Sequence, residues 1–133
     1  WGRPDMAPII FAKSILEGKP ISIFNNGDMN RDFTYIEDVV DMMVDLFSNY
    51  KKIKLFDYFN ICSNNPISLM KIINHIIKST KKTKLKKVKF QKADVFKTHG
   101  SNKKILKIIK FKKFSNIFVS LNNTINWHKK FNY

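Results

Sequence analysis

The sequence is poor in the residue types that build several common motifs. It has one cysteine, Cys62, so no disulfide can form within the chain, and this fits a reducing compartment. It has four glycines, and none of them stands in the Gly-x-Gly-x-x-Gly or P-loop pattern of a nucleotide-binding loop. No apolar run approaches the roughly 20 residues that span a bilayer. The chain is therefore predicted to lack a disulfide framework, a membrane span and a dinucleotide-binding loop of its own.

Arginine is also scarce, although the chain is strongly basic. Lysine and arginine total 25 against 10 acidic residues, a net charge of +15, yet only Arg3 and Arg31 are arginines. Such a charge is typical of proteins that bind nucleic acid or anionic membranes. The abundance of Lys, Asn, Ile and Phe favours a simpler interpretation, the composition bias of an AT-rich coding sequence. Under that bias, an arginine kept at two positions indicates a need for a guanidinium group there.

The length and composition favour one folded domain or a piece of a larger one. The 133 residues are 44% hydrophobic and include 12 Phe, enough for a modest core. The chain begins Trp-Gly-Arg-Pro, without an initiator Met, and these residues read as the middle of a loop. We therefore expect this sequence to be a piece of a longer protein.

Hydrophobic periodicity predicts alternating helices and strands, which gives a mixed α/β fold class. Helices are predicted over residues 5–17, 36–47, 69–79 and 119–131, the third capped by Ser68, with a short helix capped by Ser101. Strands are predicted over 21–24, 56–61 and 88–90, with an extended return over 32–35 after an Asn-Gly turn. Gly18 is expected to end the first helix. The apolar residues assigned to the inward face of the second helix are Val39, Val40, Met43, Val44 and Phe47.

Motifs that carry catalysis or metal binding are absent or unconvincing. The three histidines lie far apart without ligand-type neighbours, and no Gly-x-Ser-x-Gly elbow exists. Tyr50 and Lys54 match the Tyr-x-x-x-Lys spacing of short-chain dehydrogenases, but the pair falls in a polar segment where one stable helical turn is not expected. Cys62 is interpreted as a small packed residue. We predict no catalytic, cofactor-binding or metal-binding residue in this chain.

Three motifs give the chain a family resemblance. Residues 1–7 read Trp-Gly-Arg-Pro-Asp-Met-Ala, residues 31–38 read Arg-Asp-Phe-Thr-Tyr-Ile-Glu-Asp, and residues 58–61 read Tyr-Phe-Asn-Ile. In this order they resemble the C-terminal, substrate-binding part of extended short-chain dehydrogenase/reductase enzymes, the NAD-dependent nucleotide-sugar epimerases and dehydratases. The Arg-Pro-Asp-Met-Ala stretch favours the UDP-glucuronate 4-epimerases. The resemblance covers essentially the whole chain, residues 1–133, as one substrate-binding domain.

The resemblance implies a division of labour. In that family an N-terminal Rossmann half, absent from this chain, holds NAD and the catalytic Tyr and Lys. C4 of the sugar is oxidised to a ketone with hydride passing to NAD⁺, the ketone rotates, and it is reduced from its other face. The implied partners are a UDP-sugar (UDP-glucuronate or UDP-galacturonate), the missing Rossmann half and a possible second copy in a cytoplasmic homodimer. This piece alone is expected to be inactive and to expose apolar surface where that half docks.

The resemblance also assigns roles to individual residues. It implies that Arg31 contacts the substrate diphosphate, since a guanidinium fork suits phosphate oxygens. It implies that Arg3 holds the sugar carboxylate. The remaining implied substrate-binding residues are Ile23 and Phe24 on the uridine-facing strand, Asp5 and Met6 beside the uracil, and Asp94 in a late loop near the nucleotide.

Alternatives stay open for these residues and for the chain. Arg31 could instead pair with Asp32 or Asp28 at the surface, Arg3 could be an exposed loop charge, Phe24 could be ordinary core, and Asp94 could be a cap. Ala93, Ser101 and Cys62 depart from the Gly, Asp and Gly that the family pattern carries. The other functions considered are a dehydratase or decarboxylase of the same family, a free-standing basic nucleic-acid-binding module, and a remnant with a structural role.

Overall fold

A computed structural model describes residues 6–80, 83–89 and 94–131, and it confirms the mixed α/β class. The helices and strands follow one another in the order α1 (Ala7–Leu16), β1 (Ile21–Phe24), β2 (Asn30–Arg31), α2 (Ile36–Ser48), β3 (Ile67–Ser68), α3 (Leu69–Ser79), β4 (Leu85–Val88) and α4 (Ile117–Phe131). Short 3₁₀ turns lie at Asn25–Gly27, Tyr50–Lys52 and Ile105–Lys107. Within the described ranges, no helix has the length and apolar character needed to cross a bilayer.

The four long helices lie close to where periodicity predicts them. α1 follows Met6 with a proline in its first turn, and Gly18 beyond its end has φ +70°, the left-handed conformation that glycine adopts most readily. Ser68 occupies the N-cap position of α3, but its side chain makes no capping hydrogen bond. The predicted cap at Ser101 is wrong, because the Ile105–Lys107 turn begins after Lys104.

Two small sheets hold the strands. β1 and β4 pair in parallel from Ile21 with Leu85 to Phe24 with Val88, and β2 pairs antiparallel with β3. The strand predicted over 88–90 therefore begins three residues earlier, at Leu85. The lysines of β4 are exposed, so the strand is fixed by pairing with the buried strand β1 rather than by its own composition.

The main core fills the space between α1, β1, α3 and α4. Ile15, Ile72, Ile73 and Ile76 are fully buried there. Burying an aliphatic side chain of this size contributes about 1.5–3 kcal/mol relative to exposure. This core supports β1 and, through Met29, the start of β2.

A smaller apolar cluster lies under α2, and it corrects the predicted face of that helix. Met42 of α2 packs with Ile105 and Ile109, whereas the buried acid Asp38 accepts hydrogen bonds from the Ser115 N–H (3.0 Å) and hydroxyl (2.7 Å). The face predicted to point inward is largely exposed: Val40 49%, Met43 56%, Val44 61% and Phe47 79%. Periodicity locates the apolar face of a helix but does not tell whether other residues of the same chain cover that face.

The predicted strand at 56–61 is wrong as an assigned element, although its alternation is present. Phe59 and Ile61 pack against the smaller cluster, while Phe56 is 91% and Tyr58 83% exposed. Among the described residues, no backbone hydrogen bond joins this segment to a neighbouring strand. A segment with an alternating pattern forms a β-strand only when a neighbouring strand accepts and donates its backbone hydrogen bonds.

Candidate functional site around Arg31

A tight turn delivers Arg31 to its place on β2. Asn25, Asn26 and Gly27 have φ of +49°, +53° and +80°, so the chain reverses within one 3₁₀ turn after β1. Asn tolerates this region better than other residues with side chains. At Gly27 the conformation and the space both favour glycine, because a Cβ would collide with the Met70 side chain.

The Arg31 guanidinium is held by contacts from a distant part of the chain. Its Nη2 donates to Asp94 Oδ1 at 2.7 Å, and its Nη1 donates to the Asn30 carbonyl at 3.1 Å and the Phe96 carbonyl at 3.3 Å. The side chains of Arg31 and Asp94 are 20% and 31% exposed. The pair is therefore accessible to a ligand, and the guanidinium is pre-oriented before any ligand binds.

The structure brings together two residues that the family resemblance assigned to the nucleotide. Arg31 and Asp94 are 63 positions apart in sequence. Asp94 Oδ1 also accepts the Val95 N–H at 2.9 Å, so it caps its own loop as well as pairing with Arg31. The ion pair of Arg31 is thus with Asp94, and not with Asp32 or Asp28 as the surface-pair alternative supposed.

Asp32, which sequence reasoning treated only as a possible partner of Arg31, joins three loops. One carboxylate oxygen accepts the Ser63 hydroxyl and the Asn65 N–H (3.3 Å), and the other accepts the Gly100 N–H at 3.1 Å. Burial raises the pKa of Asp32, but these hydrogen bonds outweigh it and hold that pKa below its ordinary value. The polar run Ser63-Asn64-Asn65 is the sequence signal that could have indicated this junction.

Cys62 is a packed thiol beside this junction, as its sequence context predicts. Its Sγ lies where a side chain on Gly100 would stand, and its carbonyl accepts the Asn102 side-chain amide at 3.0 Å. Burial, together with the Asp32 charge, raises the pKa of the Cys62 thiol. The thiol is therefore less nucleophilic than an exposed cysteine at neutral pH.

The other predicted substrate residues differ in how much surface they offer. Met6 is 47% exposed, and Phe24 is half-buried and packs against the main core. Ile23 is 3% exposed, so a role for it at the uridine would rest on its backbone. Arg3 and Asp5 lie outside the described residues. The roles of these five residues stay predictions.

A cleft of about 480 Å³ lies between the start of α2, residues 63–67 and residues 113–118. Asp38 and Ser63 line it, together with the rings of Phe33 and Tyr35. Its size falls within the range of ligand pockets. Arg31 and Asp94 do not line it, so the cleft and the Arg31 site are separate places on the surface.

The described residues do not supply a catalytic pair or a dinucleotide site. Tyr50 begins a 3₁₀ turn and Lys54 lies beyond its end, so the Tyr-x-x-x-Lys spacing is not presented on a helix. The sequence has no glycine-rich loop with which to approach a pyrophosphate. The residues of this chain therefore do not fit NAD.

Comparison with known proteins finds one matching family model and several similar relatives. Residues 2–62 match the NAD dependent epimerase/dehydratase family. A UDP-glucuronate 4-epimerase of Thermodesulfobacterium geofontis is 36% identical over 97% of this chain. The chain is thus similar to members of this family over nearly its whole length. An uncharacterised protein of Methanocaldococcus jannaschii is similar too, at 42% identity over 96% of the chain. The chain spans 39% and 38% of the lengths of these two relatives.

Solved structures of the family share the fold of this chain. The UDP-glucuronic acid 4-epimerase of Bacillus cereus, in complex with UDP-glucuronic acid and NAD, superposes with a TM-score of 0.87 at 28% identity. The match covers 96% of this chain and 41% of that one. The predicted family resemblance and the predicted extended short-chain dehydrogenase/reductase fold are both confirmed. NAD, the predicted family cofactor, is present in that relative.

Proposed function

We propose that this chain is the substrate-binding portion of a nucleotide-sugar epimerase and that it binds the diphosphate of UDP-glucuronate through Arg31. The observation that carries the proposal is that the Arg31 guanidinium is both fixed by hydrogen bonds and accessible to solvent. In a chain with only two arginines, one is fixed in the folded structure by Asp94 and the Phe96 carbonyl while still reaching solvent. A planar guanidinium held in this way binds phosphate oxygens with more geometric specificity than a lysine ammonium does.

The choice of sugar rests on Arg3 and on the relatives. Arg3 stands in the Arg-Pro-Asp-Met-Ala stretch, within the family match at residues 2–62. A second guanidinium near the sugar would pair with the carboxylate of a uronate, a group that glucose lacks. Holding that carboxylate would also oppose decarboxylation of a 4-keto sugar. These points favour the uronate epimerase over a decarboxylase of the same family.

In the whole enzyme, the proposed reaction inverts the configuration at C4 of the sugar through a 4-ketone. NAD would supply the hydride acceptor and donor for that chemistry. No residue that the structure describes fits that role, so the contribution proposed for this chain is to bind and orient the nucleotide sugar. Alone, the chain is expected to turn over no substrate.

An outer apolar surface is proposed as the docking site for the remainder of the protein. This surface consists of Val40, Met43, Val44 and Phe47 on α2 with Leu55, Phe56 and Tyr58. Leu55 is 92% and Phe56 91% exposed. Seven apolar side chains with this degree of exposure are unusual on a solvent-facing surface. The extended segment 56–61 beside it offers a backbone edge to another sheet.

The length of the relatives supports one choice of occupant. Two relatives match 96% and 97% of this chain, but the match spans only 38% and 39% of their own lengths, so in them the matched part meets a larger remainder. A nucleotide-binding half that adds strands beside 56–61 would satisfy that edge and cover α2 together. This occupant is favoured over a second copy of the chain because it accounts for both features at once.

Calorimetry with UDP-glucuronate and UDP-glucose tests the binding proposal. Arg31→Ala should weaken both ligands about tenfold or more, the size expected for losing a charge-assisted contact of about 1.5–3 kcal/mol. Arg3→Ala should weaken UDP-glucuronate while leaving UDP-glucose nearly unchanged. Lys78→Ala removes an exposed charge on α3 and is the matched control. Absence of heat at millimolar ligand, or equal losses in Arg31→Ala and Lys78→Ala, would contradict the proposal.

A further inference from the structure

The segment 94–100, which orients Arg31, is hydrogen-bonded to residues 30–32 at several points. The Asn30 N–H donates to the Phe96 carbonyl at 2.8 Å, and the Thr98 N–H donates to the Asn30 carbonyl at 3.1 Å. The Asp32 N–H then donates to the Thr98 hydroxyl at 3.1 Å. Residues 96–98 thus run beside β2 and reach past its end to Asp32.

The Asp32 carboxylate fixes the far end of that segment. It accepts the Gly100 N–H at 3.1 Å, and it joins this point to the 63–65 turn through the Ser63 hydroxyl and the Asn65 N–H. Gly100 approaches closely because it has no side chain, since a Cβ would lie 2.5 Å from Cys62 Sγ. The segment 94–100 is therefore anchored at residues 96, 98 and 100.

Both groups that this segment brings to the guanidinium depend on those anchors. Asp94 and the Phe96 carbonyl each accept a hydrogen bond from Arg31. Within the described residues, these contacts and the one to Asn30 use only part of the donor set of the guanidinium. The direction of the remaining donors is fixed once the acceptors are fixed.

We infer that Asp32 is a positioning residue for diphosphate binding. It does not touch the ligand; it holds segment 94–100 so that Asp94 and the Phe96 carbonyl aim the Arg31 guanidinium at the phosphates. The inference rests on the proposed function, because it assigns Asp32 a part in the same site. Asp94 accordingly acts through Arg31 in this account, and not by direct contact with the nucleotide.

UDP and uridine, titrated in parallel by ligand-observed NMR, separate positioning from general stability. Asp32→Asn keeps the shape of the side chain and removes its charge, and it should weaken UDP about tenfold, the loss expected when a charge-assisted hydrogen bond to phosphate is impaired. Uridine has no phosphate, so its affinity should change less than twofold. In an Arg31→Ala background, Asp32→Asn should cause no further loss for UDP. Asp41→Asn, at an exposed position of α2, is the control and should match the wild-type chain.

Each outcome decides between distinct claims. Equal losses for UDP and uridine in Asp32→Asn, or a full further loss in the Arg31→Ala background, would overturn the positioning role while leaving the proposed function intact. Failure of the wild-type chain to bind UDP would overturn the proposed function and this inference together. If circular dichroism shows that Asp32→Asn does not fold, Ser63→Ala replaces it, because it removes one donor to the carboxylate. A smaller UDP-selective loss then supports the role, and no selectivity refutes it.

Discussion

Replacing Gly100 with alanine should destabilise the junction beneath the Arg31 site, and the structure sets the size of the effect. An added Cβ would lie 2.5 Å from Cys62 Sγ and 3.0 Å from Cys62 Cβ. Favourable contact between such atoms begins near about 3.5 Å, so the two segments must separate by about 1 Å. Gly100 is not among the glycines with positive φ, so the expected strain is steric and not conformational.

The surroundings make that separation costly. Cys62 is tied to Asn102 through its carbonyl, and Gly100 is tied to Asp32 through its N–H, so neither backbone can move alone. Overpacking of this kind costs about 1–3 kcal/mol. With a urea m-value of about 1–2 kcal/mol/M, the unfolding midpoint should fall by about 1 M. Urea titration followed by circular dichroism measures this midpoint directly.

Two comparisons isolate the contact. Ser101→Ala changes the exposed residue next to Gly100 and should change the free energy of unfolding by less than about 0.5 kcal/mol. In a Cys62→Gly background, Gly100→Ala should lose most of its cost, because the obstructing side chain is gone. If its cost is the same in both backgrounds, the close approach of Gly100 and Cys62 is not what limits residue 100, and the reasoning fails.

Two further predictions concern Asp32 and α2. The folded-state pKa of Asp32 lies below its ordinary value of 3.8, so its stabilising effect is present above that value and disappears as pH falls through the lower, folded-state pKa. Urea midpoints should therefore decline less between about pH 6 and about pH 3 in Asp32→Asn than in the wild type, and parallel declines would contradict this. Phe47→Ser, on the outer apolar surface, should change stability by less than about 0.5 kcal/mol while reducing self-association in sedimentation. Met42→Ser, at a buried position, should instead cost about 2–5 kcal/mol. If Phe47→Ser costs as much as Met42→Ser, the outer face of α2 is not exposed and the prediction fails.

For a helix, periodicity predicts the buried face correctly when the covering residues lie within the chain. α3 was predicted from Leu69 to Ser79 and has those bounds, because its apolar stripe packs into the main core. The apolar face of α2 and the outer positions of 56–61 have equally regular apolar patterns, yet Phe47, Phe56 and Tyr58 are largely exposed among the described residues. A hydrophobic pattern reports what a segment can bury and does not report where the covering residues come from.

The candidate site was predictable in its parts but not in its assembly. Arg31 stood out through the scarcity of arginine, and Asp94 through the family resemblance. Their pairing across 63 positions depends on segment 96–98 lying along β2, which local sequence does not encode. The Asp32 junction escaped notice for the same reason, since its donors come from two other loops.

The central claim is that Arg31 binds the substrate diphosphate. Because the chain has only two arginines, NMR of the arginine side chains tests this claim most directly. In a ¹⁵N-labelled chain the arginine side-chain Nε–H region contains signals from Arg3 and Arg31 only, and Arg31→Lys assigns them. Titration with UDP should shift the Arg31 signal, and UDP-glucuronate should shift both signals. An Arg31 signal that stays in place while the ligand saturates the chain would contradict the account.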